Sequence, residues 1–323
     1  MSEQGMANLS PFDPAAIEDD TRAFLDLFAK ATAGAPSVVN TPIQRLREAR
    51  ATGTAVLPAP LRLDHGETLE IPGPGGVIRL RIFRPEVSRG GYLHFHGGGF
   101  VMGGPDQQDV MLDATARETG LTVVSAGYRL APEHRYPAAP QDCLAAARWF
   151  LAQAGTGAFG GERHVIGGES AGAYLAVKTL LARRAEGQSS AFDAAVLTFG
   201  AYDLSMTPSA RNWGERYAII NTPILRKYLE MFLPEGADAT APELSPLYDD
   251  LSGLPRALFM VGSQDPLLDD SLFMAQRWSA AGNAAELEVF PGGIHAFTAF
   301  PIGIGRRAVQ RQHRFMRAAW ERE

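Results

Sequence analysis

A five-residue turn, Gly168-Glu169-Ser170-Ala171-Gly172, constrains this chain more than any other stretch, because the hydrophobic period changes across it. Before it, HVIGG at 164–168 reads as a short strand; after it, YLAVKTLLARR at 174–184 carries apolar residues at helical spacing. Ser170 therefore falls at a strand-to-helix turn, the context in which a GxSxG sequence lifts a serine hydroxyl clear of a sheet. The flanking glycines let other chain pass closely on both sides. A serine hydroxyl becomes a useful nucleophile only when a base takes its proton. Taken alone, the motif reads better as an incidental glycine-rich turn, and the decision rests on partner residues elsewhere.

The 323 residues exceed the usual domain size and fit either one large α/β domain with an appended cap or two domains. A hydrophobic fraction of 46% with 20% charged residues is that of an ordinary soluble globular chain, and the net charge of −6 is modest. The thirty Lys and Arg are scattered apart from short pairs such as Arg183-Arg184 and Arg306-Arg307. No basic stripe exists to neutralise phosphates, so no nucleic-acid partner is expected. Cys143 is the single cysteine, which rules out an intramolecular disulfide and any multi-cysteine zinc site. The first residues show no basic region followed by an apolar run, and no apolar stretch approaches the roughly 18 residues of a membrane span. The expected location is cytoplasmic, with no membrane partner.

In chain order, residues 1–11 should fray. Asp13-Pro14 has the form of an N-cap and first-turn proline, opening a helix with Ile17, Phe24, Leu25, Leu27 and Phe28 on its apolar side. Thr41-Pro42 repeats the signal before IQRLREARAT, a short charged helix expected on the surface. From Thr68 the pattern is that of strands. VIRLRIF alternates Ile78, Leu80 and Ile82 with Arg79 and Arg81, as a half-buried strand does, and IPGPGG turns it from its neighbour. GYLHFH then runs straight into His96-Gly97-Gly98-Gly99-Phe100. Three consecutive glycines lose much conformational entropy on folding, so their place after a strand calls for a reason. Unhindered N–H groups that approach a ligand oxygen and hold developing negative charge supply one. A phosphate-cradling loop ranks lower, since neither GxxxxGK[ST] nor GxGxxG follows.

Further on, Asp109 to Thr119 reads as a helix stopped by Gly120 and LTVVSAGY as a buried strand, and YRLAPEHRYPAAPQDC holds prolines that fix a loop before a helix ending near Ala154. His134, between Glu133 and Arg135 in that loop, reads as structural. Residues 204–242 break the βα rhythm around one helical run at 223–232, an insertion able to fold over a site together with the N-terminal helices. Trp213, Tyr217, Met231 and Phe232 there are candidate pocket-lining residues, equally suited to the core of such a cap. The rhythm resumes with ALFMVGSQDPLLDD, where a strand ends at Gly262 and Asp265 follows in a loop, placed to orient a histidine. Asp249, Asp269 and Asp270 compete; the last two open the helix SLFMAQRWSAAG and read as N-terminal capping residues. The final strand, AELEVFPGG, leads to His295, and the order Ser170, Asp265, His295 is the Ser, acid, His order of an α/β hydrolase. A closing helix runs from Gly303 to Trp320.

Six ordered blocks carry a family resemblance: HGGGF at 96–100, YRLAPEHRYPAA at 128–139, GESAG at 168–172, SPLYDDLSGLP at 245–255, DPLLDD at 265–270 and PGGIHAF at 291–297. On them the chain resembles the bacterial hormone-sensitive-lipase-like esterases, or family IV, of the α/β hydrolases, from about Val77 to the C-terminal helix. The resemblance implies an α/β hydrolase fold, with a mostly parallel central sheet, helices on both faces and a helical cap. The cap would comprise residues 1–60 and 204–242, and the core 61–203 and 243–323. It implies a serine carboxylesterase acting on a small-molecule ester of short to medium acyl chain. Ser170 would be nucleophile, His295 base and Asp265 its orienting acid, with N–H groups of Gly98, Gly99 and Ala171 as the oxyanion hole. Phe100, Tyr174, Trp213 and Tyr217 are the expected substrate contacts. No metal or organic cofactor is implied, and a homo-oligomer is compatible with the pattern. Amidase, aryl formamidase and lactonase chemistry could use the same triad. A ligand-binding receptor on this fold, as in the plant gibberellin receptors, lacks the catalytic histidine that His295 supplies here. The chain departs from the common motif in having Glu169 for Asp and Ala173-Tyr174 for Gly-Asn, and the bulk of Tyr174 bears on pocket shape.

Overall fold

Neighbouring residues along the central strands enter different apolar cores. Tyr92, Val165, Val196 and Leu258 belong to one, and Leu93, Ile166, Leu197 and Phe259 to the other. Side chains alternate across a strand, so apolar residues on both faces demand cover on both faces, as in parallel sheets flanked by helices. The computed structural model describes residues 10–55 and 59–318. Its strands are β1 (Glu67–Gly73), β2 (Gly76–Phe83), β3 (Gly90–Phe95), β4 (Thr122–Ala126), β5 (Arg163–Glu169), β6 (Ala194–Thr198), β7 (Arg256–Gln264) and β8 (Ala285–Ile294). They form one eight-stranded sheet of order β1-β2-β4-β3-β5-β6-β7-β8. Only the pairs that include β2 are antiparallel.

The helices are α1 (Asp19–Thr32), α2 (Ile43–Thr52), α3 (Asp109–Thr119), α4 (Ala138–Gly155), α5 (Ala171–Ala185), α6 (Pro208–Asn212), α7 (Thr222–Phe232), α8 (Leu268–Ala280) and α9 (Gly303–Arg317). α4, α5 and α8 supply Phe150, Leu175 and Trp278 to one core, whereas α3 and α9 supply Leu112 and Phe315 to the other. This is the expected sheet with helices on both faces. α1 packs Phe24, Leu25 and Phe28 against Tyr217 and Ala218 of the 204–242 insertion and against Ile294 and Phe300 near the end of the sheet.

Three local expectations are corrected. Asp13 caps only a 3₁₀ turn, Pro14–Ala16, and the chain is extended at Ile17 before α1 begins at Asp19. Ile17 is buried beside Gly292 at this break. Leu27 lies off the apolar side of α1, 66% exposed. Arg81 does not face water: it is buried, with Nε 3.1 Å from both oxygens of a fully buried Asp109 and further donation to the carbonyl oxygens of Gly66 and Leu63. Asp109 also accepts from Leu63 N at 2.9 Å, so this pair ties the segment before β1 to β2 and α3. Most of the segment expected to fray, and Trp320, lie outside the described residues.

Two tests of these contacts follow. Asp109→Asn leaves a buried guanidinium without its counter-charge, and urea unfolding should show a loss of about 3–5 kcal/mol. The double variant Arg81→Met with Asp109→Leu should lose less than Asp109→Asn, because it leaves no orphaned charge. His313 on α9 places Nε2 3.1 Å from Thr115 Oγ1 on α3, and burial pushes its imidazole down to about 4. A histidine whose folded pKa lies below its unfolded value contributes stability that is present above about pH 6.5 and lost as pH falls toward 4. Thermal melts across that window should show Tm declining less steeply in His313→Gln than in wild type.

Candidate active site

The loops leaving the carboxyl ends of β3, β5, β7 and β8 converge. β3 lies between β4 and β5, so successive connections from it depart in opposite directions and open a crevice at the strand ends. At the crevice β5 ends in the GESAG turn. Ser170 adopts φ 56° and ψ −119°, an unfavourable conformation for a non-glycine residue, and its N–H donates to Thr198 O at 2.9 Å. The neighbouring strand makes the two glycines of the motif obligatory. A Cβ on Gly168 or Gly172 would stand 2.2 Å or 1.9 Å from Phe95 O, the last carbonyl of β3.

His295 follows β8 directly. Its Nε2 lies 2.9 Å from Ser170 Oγ, and its Nδ1 lies 2.9 Å and 3.1 Å from the two oxygens of Asp265. Asp265, beyond β7 and 1% exposed, also accepts from Leu267 N at 2.8 Å. With Nδ1 protonated toward the carboxylate, Nε2 presents a lone pair to the serine hydroxyl. The ring is held further by Phe199, whose centroid lies 4.9 Å away. Asp249 is elsewhere, 4.0 Å from Arg184. Asp269 and Asp270 correct the capping expectation, since their carboxylates accept from other parts of the chain. Asp269 accepts from Ser209 N, and Asp270 from Tyr202 N, Asp203 N and Thr207 Oγ1.

The glycine loop after β3 faces the same point. Gly98 and Gly99 have φ of 122° and 59°, accessible at little cost only to glycine. Neither their N–H groups nor that of Ala171 donates to any backbone carbonyl among the described residues. Three such donors on residues that share a cavity wall with Ser170 are candidates for holding a developing oxyanion. His96 at the loop's start is buried, stacks on Tyr128 with centroids 4.2 Å apart, and has its pKa lowered by burial to about 4.

Ser170 and His295 lie in the wall of a cavity of about 270 Å³. Of the expected contacts, Phe100 is in that wall and the other three aromatic residues are not. Tyr174 is fully buried, donating its hydroxyl to Leu244 O at 2.7 Å. Trp213 donates to Arg216 O and carries the Arg216 guanidinium over its ring, and Tyr217 stacks on Phe28. Trp213 and Tyr217 belong to the packing between α1 and the insertion, whereas Tyr174 packs edge-on to Phe100 and Phe232. The wall is instead Met206, Ile219, Ile220, Leu225, Tyr228 and Leu229 from the insertion, with Gln108 and Arg50. The available signal was the one-sided apolar pattern of α7, with Ile224, Leu225, Tyr228 and Leu229 at helical spacing. α2, expected simply on the surface, reaches inward, since Arg47 donates to Val101 O and Ala131 O and pairs with Glu133.

Glu169, the departure next to the nucleophile, is explained by a buried partner. Its carboxylate lies 3.0 Å from His94 Nε2 on β3, and His94 Nδ1 lies 3.0 Å from Ser125 Oγ on β4. The longer side chain reaches across β3, giving a buried carboxyl group the partner it needs.

The fold and family of the chain are shared with known proteins. A family model described as the α/β hydrolase fold matches residues 92–299. An ethyl acetate hydrolase of Pseudomonas putida is 32% identical over 69% of this chain and 72% of its own. An acetyl esterase of Salmonella choleraesuis is 30% identical over 71% and 72%. Among solved structures, a hyperthermophilic esterase from the archaeon Pyrobaculum calidifontis superposes with TM-score 0.80 at 29% identity, covering 91% of this chain and 96% of that one. A hormone-sensitive lipase from a metagenome library also gives TM-score 0.80 at 29% identity, over 93% and 98%. With a family match over most of its length and esterase relatives that include hormone-sensitive-lipase-like structures, the chain belongs to the α/β hydrolases, in their hormone-sensitive-lipase-like branch.

Proposed function

We propose that this protein is a serine carboxylesterase hydrolysing short- to medium-chain acyl esters through Ser170, His295 and Asp265. The hydrogen-bonded chain from Asp265 through His295 to Ser170 Oγ, with its 2.9 Å final contact, carries the reading. Ser170 attacks the ester carbonyl while His295 Nε2 takes its proton, and Asp265 fixes the ring and offsets the imidazolium charge. The N–H groups of Gly98, Gly99 and Ala171 hold the oxyanion. His295 returns the proton to the departing alcohol, and water repeats both steps on the acyl-enzyme. The proximity of His295 to Ser170 supports catalysis over ligand binding alone.

In this reading residues 1–60 and 204–242 act as a cap over a core of 61–203 and 243–323, supported by the insertion's share of the cavity wall. We place the protein in the cytoplasm. No helix among the described residues is long and apolar enough to cross a membrane.

Ser170→Ala should lower kcat for p-nitrophenyl butyrate by on the order of 10⁴ to 10⁶, with circular dichroism unchanged. Asp265→Asn should lower kcat far more than Asp269→Asn; a reversed ranking would move the acid to Asp269. The small cavity sets the second expectation. Each buried methylene contributes about 0.8 kcal/mol only while it finds apolar wall. Across p-nitrophenyl esters, kcat/KM should rise from acetate to a maximum near butyrate or hexanoate and fall by palmitate. A maximum at palmitate would contradict the closed site.

A further inference from the structure

Tyr228 on α7 packs its ring against the glycine loop. A Cβ on Gly99 would come within 2.4 Å of Tyr228 Cδ2 and 2.6 Å of Cε2. The ring therefore packs on the Gly99 backbone and forms part of the cavity wall. Four of the other seven tyrosines anchor their hydroxyl groups on the protein, and that of Tyr202 is sealed in the packing without a partner. Tyr128 donates to His96 O, Tyr136 to Glu243 O, Tyr174 to Leu244 O and Tyr248 to Asp203. The Tyr228 hydroxyl has no such partner among the described residues, yet it is not one of the polar atoms sealed inside the packing. Burial holds its phenol above the ordinary value, so at neutral pH it is a neutral donor.

The insertion residues that share its wall, Met206, Ile219, Ile220, Leu225 and Leu229, are apolar and offer no side-chain acceptor, and the phenol of Tyr217 lies near enough to act on its charge. Water in an empty cavity satisfies such a hydroxyl, and a substrate that fills the space expels it. An aliphatic group then strands the donor, whereas a substrate oxygen takes the water's place. Sites holding a polar group for this purpose discriminate against analogues that leave it unpaired.

We propose that Tyr228 is a specificity-determining residue that donates a hydrogen bond to a substrate oxygen beyond the scissile ester. The site accordingly favours esters bearing an ether, hydroxyl or carbonyl oxygen over aliphatic esters of equal length. This inference rests on the esterase reading above.

The test compares wild type with Tyr228→Phe, which keeps the ring against Gly99. Two isosteric pairs probe the two sides of the ester: p-nitrophenyl 3-methoxypropanoate with p-nitrophenyl pentanoate, and 2-methoxyethyl butanoate with butyl butanoate. Each kcat/KM is divided by the rate of alkaline hydrolysis. In at least one pair the variant should lose about five- to thirtyfold on the oxygenated ester while the aliphatic ester stays within twofold or improves. An equal loss on both members of each pair, or no change in any, overturns the proposal and leaves Tyr228 as plain wall. A wild type that cleaves none of the four esters overturns the esterase reading itself, a result distinct from an active enzyme with unchanged ratios.

Discussion

The end of β3 lies against the serine turn so closely that only backbone fits between them, and the geometry of the site depends on that contact. The Phe95 carbonyl occupies the space that a side chain at Gly168 or Gly172 would need. Adjacent strands of a parallel sheet run about 4.8 Å apart, so the turns that follow β3 and β5 leave the sheet side by side. Ser170 holds its positive φ there, and Gly98, Gly99 and Ala171, whose N–H groups donate to no backbone carbonyl among the described residues, share the cavity wall with it. Nothing in this arrangement requires a flexible group to find its place. The strain and the entropy of the glycines are offset by the packing of both strands in two apolar cores.

Buried polar groups keep the remaining parts in register. The Glu169, His94 and Ser125 chain runs across β5, β3 and β4 beneath the turn. Asp270 gathers three donors from residues 202–207 and so fixes the start of the insertion to α8, next to the loop that carries Asp265. Burial nevertheless pushes the Asp270 carboxyl up to about 7, against hydrogen bonds that favour its charged form. The carboxylate is thus a costly group that is tolerated because its partners are in place, and breaking one of them is more damaging than its isolated strength suggests.

The proline-rich block after β4 does comparable work for α7. Arg135 donates to the carbonyl oxygens of Glu230 and Leu233, Tyr136 N donates to Phe232 O, and the Tyr136 hydroxyl donates to Glu243 O. Phe100 and Phe232 stack with centroids 3.9 Å apart, joining the glycine loop to the end of the same helix. The insertion is therefore positioned by hydrogen bonds from the core to its backbone carbonyls, and Tyr228 stands over Gly99 as a consequence.

Residues whose role follows from the local chain were legible in the sequence. The βα rhythm marked the strands, the period change marked the serine turn, and strand ends marked the loops holding His96 to Phe100, Asp265 and His295. Those signals are local because backbone turns and alternation depend on near neighbours. What the sequence could not decide was which side chains face a cavity made by distant segments. Trp213 and Tyr217 look like pocket residues by type and turn away, while Met206, Ile220 and Tyr228 face it because of how α7 is held. Arg81 and Asp269 show the same limit, one turned inward by Asp109 and the other recruited by Ser209. The sequence by itself determined the order of the elements and the candidate side chains at their ends. The tertiary structure alone decided the lining, since a side chain's partners depend on which segments folding brings into contact.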